Sequence, residues 1–314
     1  MNTTFKKIGL EDYNKRFERI RRSTLLQAPY YARMCEQVYH QTTTPLLTEI
    51  NGKFQAISLV QEAGLARNLI HAVILDRGPL WLNSDPSVEK LQQFFKGFNE
   101  LYPLRPGRKR RILPEISNKP FYAQALLDGG IKKIKRREPY QTIWIDITTE
   151  TDRLRANLKG KWRNALRKAE KSSLDIKWSN SFHDAAMILA AHHQDRKNRI
   201  YKAASLKTIS VLCAKAAKEN SLICGCAFIK GEFISGLIIL RHGLAATYQV
   251  SWNSEKGRDV NANYKLLWES LLKMRDRGIQ DFDLGGLNDR EAAGLKRFKS
   301  GLGGELVTLS GQYK

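Results

Sequence analysis

Three apolar segments in the second half of the chain follow one another with only short gaps between them. They cover 222–229, 233–241 and 245–252, and the gaps hold Lys230-Gly231 and His242-Gly243. Gaps of this composition connect antiparallel strands, because glycine tolerates the positive φ angles that tight hairpins require. The sequence therefore predicts a β-meander here, and with it a sheet-containing fold rather than a helical bundle.

The first half of the chain shows a similar order of elements. Strand-like runs at 46–50 and 54–60 flank Asn51-Gly52, which is a strong hairpin signal. Segment 87–101 then carries apolar residues at helical spacing, and 142–147 (TIWIDI) is a strand that suits a domain junction. We therefore predict an α/β (α+β) chain of two tandem domains, each with a mixed sheet flanked by helices.

Helical periodicity predicts two further elements in the second half. Apolar residues between 154 and 169 recur at helical spacing and leave basic residues on the opposite face, which predicts one helix. Segment 263–274 is also amphipathic, and it leads through Gly278 into a short strand that ends at Asp283. The second half thus repeats the hairpin, helix and strand order of the first.

The chain is strongly basic, with a formal net charge of +22 and a pI near 9.9. Its basic residues concentrate in three clusters, 105–111 (RPGRKRR), 132–137 (KKIKRR) and 159–171 (KGKWRNALRKAEK). A net charge of this size concerns the partners of a protein rather than its fold. It predicts a polyanionic partner, which is RNA, an anionic lipid surface or a phosphorylated metabolite.

The sequence lacks the usual marks of export and of membrane insertion. No segment approaches the ~20 apolar residues of a membrane-spanning helix, and residues 1–22 have no apolar core for a signal peptide. The four cysteines are scattered, with neither metal-ligand spacing nor a disulfide framework. We expect a cytoplasmic protein without a bound metal, either free or held peripherally at the inner face of the membrane.

Two glycine-rich motifs near the end of the chain are the best candidates for a site. The first is DFDLGG, in which Asp283 ends a strand and Gly285 and Gly286 let the backbone approach a ligand. The second is RFKSGLGG, in which Phe298 precedes Lys299 and several glycines follow. We predict that Lys299 lies in an exposed, glycine-bracketed loop and there meets a phosphate or an oxyanion.

The order of strands and helices in the second half resembles the GNAT acetyltransferase fold. Members of that fold hold the pyrophosphate of acetyl-CoA in a loop after the fourth strand, where small residues let backbone N–H groups approach the phosphates. The corresponding stretch here is RDVNAN, in which Asn261 and Asn263 stand in place of the small residues and Asp259 adds a negative charge. The resemblance implies a scaffold that is retained and a coenzyme A grip that is lost.

Further motifs resemble the Fem family of peptidoglycan interpeptide-bridge aminoacyltransferases, and also a wider set of acetyltransferase-like relatives of that family. The motifs follow a fixed order along most of the chain: LQAPYYAR, RGPL, RILPE, TIWIDI, LKGKWRNALRKAEK, TYQVSWN, NANYKLLWESL, DFDLGG and RFKSGLGG. The resemblance implies a first domain over 1–146 and a second over 147–304. It also implies that 305–314 is a terminal strand that returns to the first domain.

The resemblance implies an enzyme that moves an amino acid from aminoacyl-tRNA to an amine of a UDP-linked or lipid-linked peptidoglycan precursor. The family generally uses no cofactor, metal or covalent intermediate. Phe298 and Lys299 match its Phe-Lys pair, with the lysine at the tRNA acceptor end or at the developing negative charge. Tyr248 matches a substrate-binding tyrosine, and Asp76 beside RGPL is the candidate for a substrate-binding acid. Arg196, near a predicted helix end, is either a phosphate ligand or a solvated side chain.

Three functions compete at this point. A Fem-type aminoacyltransferase explains the basicity, the fold and the motifs together. A GNAT-like N-acyltransferase that uses acyl-CoA or an acyl carrier protein explains the fold and the basicity, but Asn261 and Asn263 oppose it. A non-catalytic relative that binds RNA or a membrane surface explains the charge, and it leaves the loop around Lys299 without a role.

Overall fold

The computed structural model describes residues 3–82, 85–134, 138–197, 205–287 and 293–314. The chain forms two compact units. The first consists of Met1–Gln141 with Val307–Lys314, and the second is Thr142–Leu306. None of the helices formed by the described residues has both the length and the apolar character that a membrane crossing needs.

The first unit is built on a mixed sheet. Its strands are β1 (Thr3–Lys7), β2 (Thr42–Ile50), β3 (Lys53–Leu65), β4 (Ile70–Asp76), β5 (Leu80–Trp81) and β6 (Arg108–Leu113). The order across the sheet is β1-β2-β3-β4-β6, with β5 beside β3, and only β4 and β6 of these pairs run parallel. The helices are α1 (Leu10–Phe17), α2 (Pro29–Tyr39), α3 (Val88–Leu101) and α4 (Pro120–Asp128). Helix α3 supplies the crossover that a parallel pair requires.

Short local sequence signals explain the turn between β2 and β3 and the start of helix α3 in the first unit. Asn51 and Gly52 have φ angles of 53° and 72°, which suit the tight turn between β2 and β3. Helix α3 begins after Ser87, whose hydroxyl accepts a hydrogen bond of 3.3 Å from the N–H of Lys90. Its aromatic stripe fills the core of this unit with the fully buried rings of Phe94, Phe95 and Phe98.

The second unit contains the predicted meander. Its strands are β7 (Gln141–Asp146), β8 (Asp175–Ser179), β9 (Leu222–Ile229), β10 (Glu232–His242), β11 (Ala245–Asn253), β12 (Asp281–Asp283) and β13 (Glu305–Thr308). The order across the sheet is β13-β7-β12-β11-β10-β9-β8, and β12 runs parallel to β11. The helices are α5 (Thr151–Ala156), α6 (Gly160–Glu170), α7 (Phe182–Lys197), α8 (Leu206–Lys218), α9 (Glu255–Asp259), α10 (Ala262–Asp276) and α11 (Ala293–Ser300). The predicted α/β fold with two mixed sheets is confirmed.

The helices of the second unit cover both faces of its sheet. Leu237 and Ile239 of β10 share one apolar core with residues of α6 and α10. The Cβ position of Gly236 is on the opposite face of the sheet, because a Cβ built there would lie 2.6 Å from Ile188 of α7. Helix α8 packs against α7. Helices α6 and α10 therefore lie on the sheet face opposite to α7 and α8.

The single helix predicted over 154–169 is wrong, because the chain forms α5 and α6 with a break between them. The guanidinium of Arg163 donates to the carbonyl oxygens of Ala156 and Leu158, each at 2.9 Å. The N–H of Lys159 donates to the carbonyl oxygen of Gly301 at 2.9 Å. Contacts distant in the sequence thus stabilise a break that periodicity alone does not reveal. Strand β8 and helix α8 were also missed.

The terminal segment 305–314 is a strand for only part of its predicted length. Strand β13 ends at Thr308, and isolated bridges then join Leu309 to Ser117 and Tyr313 to Ile112 in the first unit. Gly311, with a φ of 100°, interrupts regular pairing between the two bridges. The last residues of the chain therefore complete the first unit by separate contacts rather than by one continuous strand.

Candidate functional site

Lys299 lies on the last turn of helix α11, so the prediction of an exposed loop is wrong. Its side chain is only 5% exposed. The glycines that follow form the turn after the helix, where the N–H of Leu302 donates to the carbonyl oxygen of Lys299 at 3.2 Å. Leu302 is buried in the apolar core of the second unit, and this anchor holds the last turn of α11 against the core.

The ammonium of Lys299 has two close neighbours from other elements. Its Nζ donates a hydrogen bond of 3.0 Å to the carbonyl oxygen of Gly286, and it lies 5.6 Å from the centre of the Tyr248 ring. Burial lowers the pKa of Lys299 to about 8, although the negative charge of Asp283 acts in the opposite direction. The side chain is therefore a buried cation that gives up its proton more readily than an exposed lysine does.

The turn after β12 brings backbone close to this cation. The carboxylate of Asp283 accepts hydrogen bonds from the Thr142 hydroxyl and, at 2.8 Å, from the N–H of Gly285. Gly285 has a φ of 71°, and a Cβ built on it would lie 2.9 Å from the Tyr248 carbonyl oxygen. Only glycine suits both conditions. Asp283 and Gly285 thus shape the turn that presents the carbonyl of Gly286 to Lys299.

Aromatic side chains hold the elements of the site in place. Phe298 packs edge-on against Tyr264 of α10, with ring centres 4.9 Å apart, and lies 6.1 Å from the ring of Trp162 on α6. Tyr248 is buried on β11, and its hydroxyl donates to Ser251. Burial raises the pKa of Tyr248 to about 12, so its hydroxyl stays protonated at neutral pH.

The second unit brings six of the predicted site residues together: Tyr248, Asp283, Gly285, Gly286, Phe298 and Lys299. Asp76 belongs to the first unit, where its carboxylate accepts a hydrogen bond of 3.0 Å from Arg111 and where burial raises its pKa despite that partner. The partner of the Asp76 carboxylate in the structure is therefore an arginine of the same unit. Arg196 lies on the last turn of α7, and its side chain is outside the described residues.

Sequence reasoning missed the supporting residues of the site. Phe298 packs against Trp162 and Tyr264. Asp283 is hydrogen-bonded to Thr142, and Tyr248 is hydrogen-bonded to Ser251. Helical spacing marks Trp162 as an apolar position, so its burial was predictable. Its contact with Phe298, more than 130 positions away along the chain, was not predictable. The other three are polar or half-buried residues that no local pattern distinguishes.

Several groups of the stretch that matches the acetyl-CoA loop of GNAT proteins form hydrogen bonds within the protein. Residues Glu255–Asp259 form α9, and the N–H groups of Arg258, Val260 and Asn261 all donate to backbone carbonyl oxygens. The side-chain oxygen of Asn263 accepts a hydrogen bond of 2.9 Å from Ser235. These amides are therefore not directed at a ligand in this structure.

The first unit has a cavity of about 240 Å³ of its own. It is lined by Leu26, Arg77, Leu113, Pro114, Glu138, Tyr140, Leu309, Gly311 and Gln312. The guanidinium of Arg77 lies 4.7 Å from the centre of the Tyr140 ring and donates to Glu115 at 2.9 Å. The cavity therefore has largely apolar walls, and its arginine already has an acidic partner.

Comparison with known proteins shows which folds the chain resembles. A profile of the acetyltransferase (GNAT) domain matches residues 153–300. The crystal structure of FemX superposes with a TM-score of 0.82 at 14% identity, covering 100% of this chain and 96% of FemX. A comparison with curated protein sequences gives no significant match.

Two further structures share the fold at lower similarity. L-PGS from Bacillus licheniformis superposes with a TM-score of 0.53 at 10% identity, covering 98% of this chain and 93% of that one. A tandem GNAT protein from the clavulanic acid biosynthesis pathway gives 0.53 at 8% identity, covering 99% and 98%. The chain thus has a GNAT-like fold.

Proposed function

We propose that the chain is an aminoacyltransferase that moves an amino acid from aminoacyl-tRNA to an amine of a peptidoglycan precursor, forming an amide bond. The observation that carries this proposal is the buried ammonium of Lys299 between the Gly286 carbonyl and the Tyr248 ring. Within the described part of the chain, Lys299 has no carboxylate at ion-pair distance. Its charge is therefore available to an anion that develops on a substrate.

The proposed reaction needs little more than positioning and a cation. An aminoacyl ester is already activated, and holding an amine against its carbonyl can contribute ~7–11 kcal/mol to the rate. The attacking amine loses one proton, the ester C–O bond breaks, and the departing ribose oxygen gains one proton. Lys299, with a pKa of about 8, remains largely protonated at neutral pH. It can stabilise the tetrahedral oxyanion or protonate the leaving oxygen.

The segment between β11 and α10 favours a donor other than acyl-CoA. Its amides at Arg258, Val260 and Asn261 already bond to the backbone, and the Asn263 side chain is tied to Ser235. A pyrophosphate bound by these three amides would have to displace their bonds. The strongly basic surface, with a net charge of +22, suits a nucleic-acid donor.

A second candidate is an N-acyltransferase that uses acyl-CoA or an acyl carrier protein. The match of residues 153–300 to the acetyltransferase domain supports this alternative. In this case Lys299 would stabilise the same oxyanion, since attack on a thioester carbonyl passes through a similar intermediate. The two functions differ in the donor, so donor assays separate them.

Mass spectrometry of peptidoglycan precursors tests the proposed function in cells. Precursors from cells with the gene are compared with those from a deletion strain and from a strain that carries Lys299→Met. We expect a species heavier by one amino-acid residue in the first strain, and its loss in the other two. Identical precursors in all three strains would contradict the proposed acceptor.

A further inference from the structure

Helix α6 presents a basic face to solvent. Lys161 and Lys168, seven residues apart, lie on one side of the helix, and they are flanked by Arg167 and by Lys171, the residue that caps the end of the helix. All four side chains are exposed, whereas Trp162, Leu166 and Ala169 on the opposite side are buried. We call Lys161, Arg167, Lys168 and Lys171 the α6 stripe. From its first to its last residue it extends about 15 Å along the helix.

The side chains of the α6 stripe, unlike those of the 105–111 cluster, form no ion pairs with other described residues. All four arginines of the 105–111 cluster are bound inside the first unit: Arg105 to the Asn68 carbonyl, Arg108 to His71, Arg110 to the Tyr102 carbonyl and Arg111 to Asp76. In the described ranges, no member of the α6 stripe forms an ion pair. The 132–137 cluster lies partly outside those ranges. The α6 stripe is therefore the cluster whose charge is demonstrably left for an external anion.

The stripe begins beside the candidate site. At the start of α6, the N–H of Lys159 donates to the Gly301 carbonyl at 2.9 Å. The ring of Trp162 then packs on Phe298, the residue before Lys299. Lys161 thus lies next to the residues that carry the site, and Lys171 lies about three helical turns farther away.

We propose that the α6 stripe binds the phosphate backbone of the duplex stem adjacent to the aminoacylated end of a tRNA. This inference rests on the proposed function, which brings that end to Lys299. The stem must then leave the site along a neighbouring surface, and the stripe supplies four exposed cations on such a surface. Lysines bind phosphates as point charges without reading bases, so this surface recognises a duplex rather than a sequence.

The exposed face of α6 fits RNA better than a lipid surface. Helices that lie on membranes insert an apolar face about 5–10 Å into the headgroup boundary. The apolar residues of α6 are instead part of the core of the second unit, where Trp162 and Leu166 are buried. Its exposed side chains are cations, Asn164 and Glu170, and Glu170 is paired with Arg155 of α5. Charge without an exposed apolar side is the pattern of phosphate-backbone binding.

Fluorescence anisotropy with a labelled RNA hairpin that copies an acceptor stem tests the surface directly. The triple variant Lys161→Ala, Lys168→Ala, Lys171→Ala should bind the hairpin about tenfold or more weakly at low salt. Its log–log salt slope should fall by about two to three, because each lost phosphate contact removes close to one unit. The matched control is Lys207→Ala, Lys215→Ala, Lys218→Ala on α8, which removes the same charge on the opposite face of the sheet.

Equal losses in the two triple variants would overturn the proposal, because binding would then follow net charge alone. It would also be overturned if hairpin binding were unchanged while the α6 variant lost binding to vesicles of anionic phosphatidylglycerol. Circular dichroism confirms that both variants are folded. This binding test needs no enzymatic activity, so it remains informative even if the proposed function is wrong.

A kinetic arm connects the surface to the proposed reaction. Transfer is measured from full-length aminoacyl-tRNA and from an aminoacylated dinucleotide, which has the reactive end but no stem. The α6 triple variant should raise KM for the full-length donor about tenfold, and the ratio of kcat/KM between the two donors should fall accordingly. An unchanged ratio would contradict a stem contact at α6.

Discussion

Lys299 and Gly286 are joined by a hydrogen bond of 3.0 Å from the lysine Nζ to the glycine carbonyl oxygen. The lysine lies at the end of α11, and the glycine lies in the turn after β12. One N–H of the ammonium is thus used to fix its position, and two remain for a substrate. This arrangement makes Lys299 a preorganised donor, which is the property that transition-state stabilisation requires.

Replacing Lys299 should abolish most activity without unfolding the protein. Lys299→Met keeps most of the length of the side chain and removes the charge, and we expect turnover to fall about 10²–10³-fold, the usual cost of losing one preorganised donor. The midpoint temperature of thermal unfolding should be unchanged or slightly higher, because burying a neutral side chain does not require a charge to be desolvated. Lys299→Arg should recover only part of the activity, since a planar guanidinium does not replace a compact ammonium.

The control for this substitution is Lys296→Ala. Lys296 lies on the same helix α11 and is exposed, so its loss should leave turnover nearly unchanged. A folded Lys299→Met variant with wild-type turnover would refute the site assignment.

The activity of the wild-type protein should decline as the pH rises through about 8. Burial lowers the pKa of Lys299 to about 8, and the proposed role requires its protonated form. The buried Tyr248, with a pKa of about 12, cannot produce a decline in this range. The profile of kcat against pH should therefore show an alkaline limb that is missing from the residual activity of Lys299→Met. The same limb in both proteins would assign it to another group.

Protein stability should depend on the same titration. Between the folded pKa of about 8 and the ordinary value of 10.5, the unfolded chain holds one more proton than the native chain at Lys299. The contribution of Lys299 to the free energy of unfolding therefore increases as the pH rises, by up to about 3 kcal/mol. Urea unfolding at pH 7 and at alkaline pH should show this gain relative to Lys299→Met. Parallel curves for the two proteins would mean that Lys299 is not buried as a charge.

Gly285 should tolerate no side chain. With a φ of 71° and a Cβ position 2.9 Å from the Tyr248 carbonyl oxygen, Gly285→Ala should cost on the order of 1–3 kcal/mol in stability and displace the Gly286 carbonyl from Lys299. Gly278→Ala separates strain from crowding, because Gly278 has a φ of 79° and open space around its Cβ position. We expect a smaller stability loss and nearly normal turnover for this control. Equal kinetic effects of the two substitutions would contradict the geometry of the turn.

The sequence predicted elements whose determinants are local. The meander of the second unit was located to within one residue at each strand end, because apolar runs and glycine turns such as Lys230-Gly231 fix hairpins without distant contacts. The hairpin at Asn51-Gly52 and the helix after Ser87 were predictable for the same reason. Such signals depend on backbone conformation within a few residues.

The sequence did not predict features that depend on distant contacts. Glycines after Lys299 indicated a loop, but buried Leu302 and the rings of Trp162 and Tyr264 hold that segment as a helix. Charge density likewise marked 105–111 and 159–171 as equal candidates for binding. The structure distinguishes them, because partners such as Asp76 for Arg111 lie more than 30 positions away along the chain.

The identity of the acyl donor is the most direct test of this account. Purified protein and a peptidoglycan precursor are incubated either with tRNA charged with radiolabelled amino acids or with labelled acetyl-CoA. Aminoacyl-tRNA should support labelling of the precursor, ribonuclease treatment should abolish it, and acetyl-CoA should give none. Labelling from acetyl-CoA that ribonuclease does not affect, together with none from aminoacyl-tRNA, would contradict the proposed function and establish the acyl-CoA alternative.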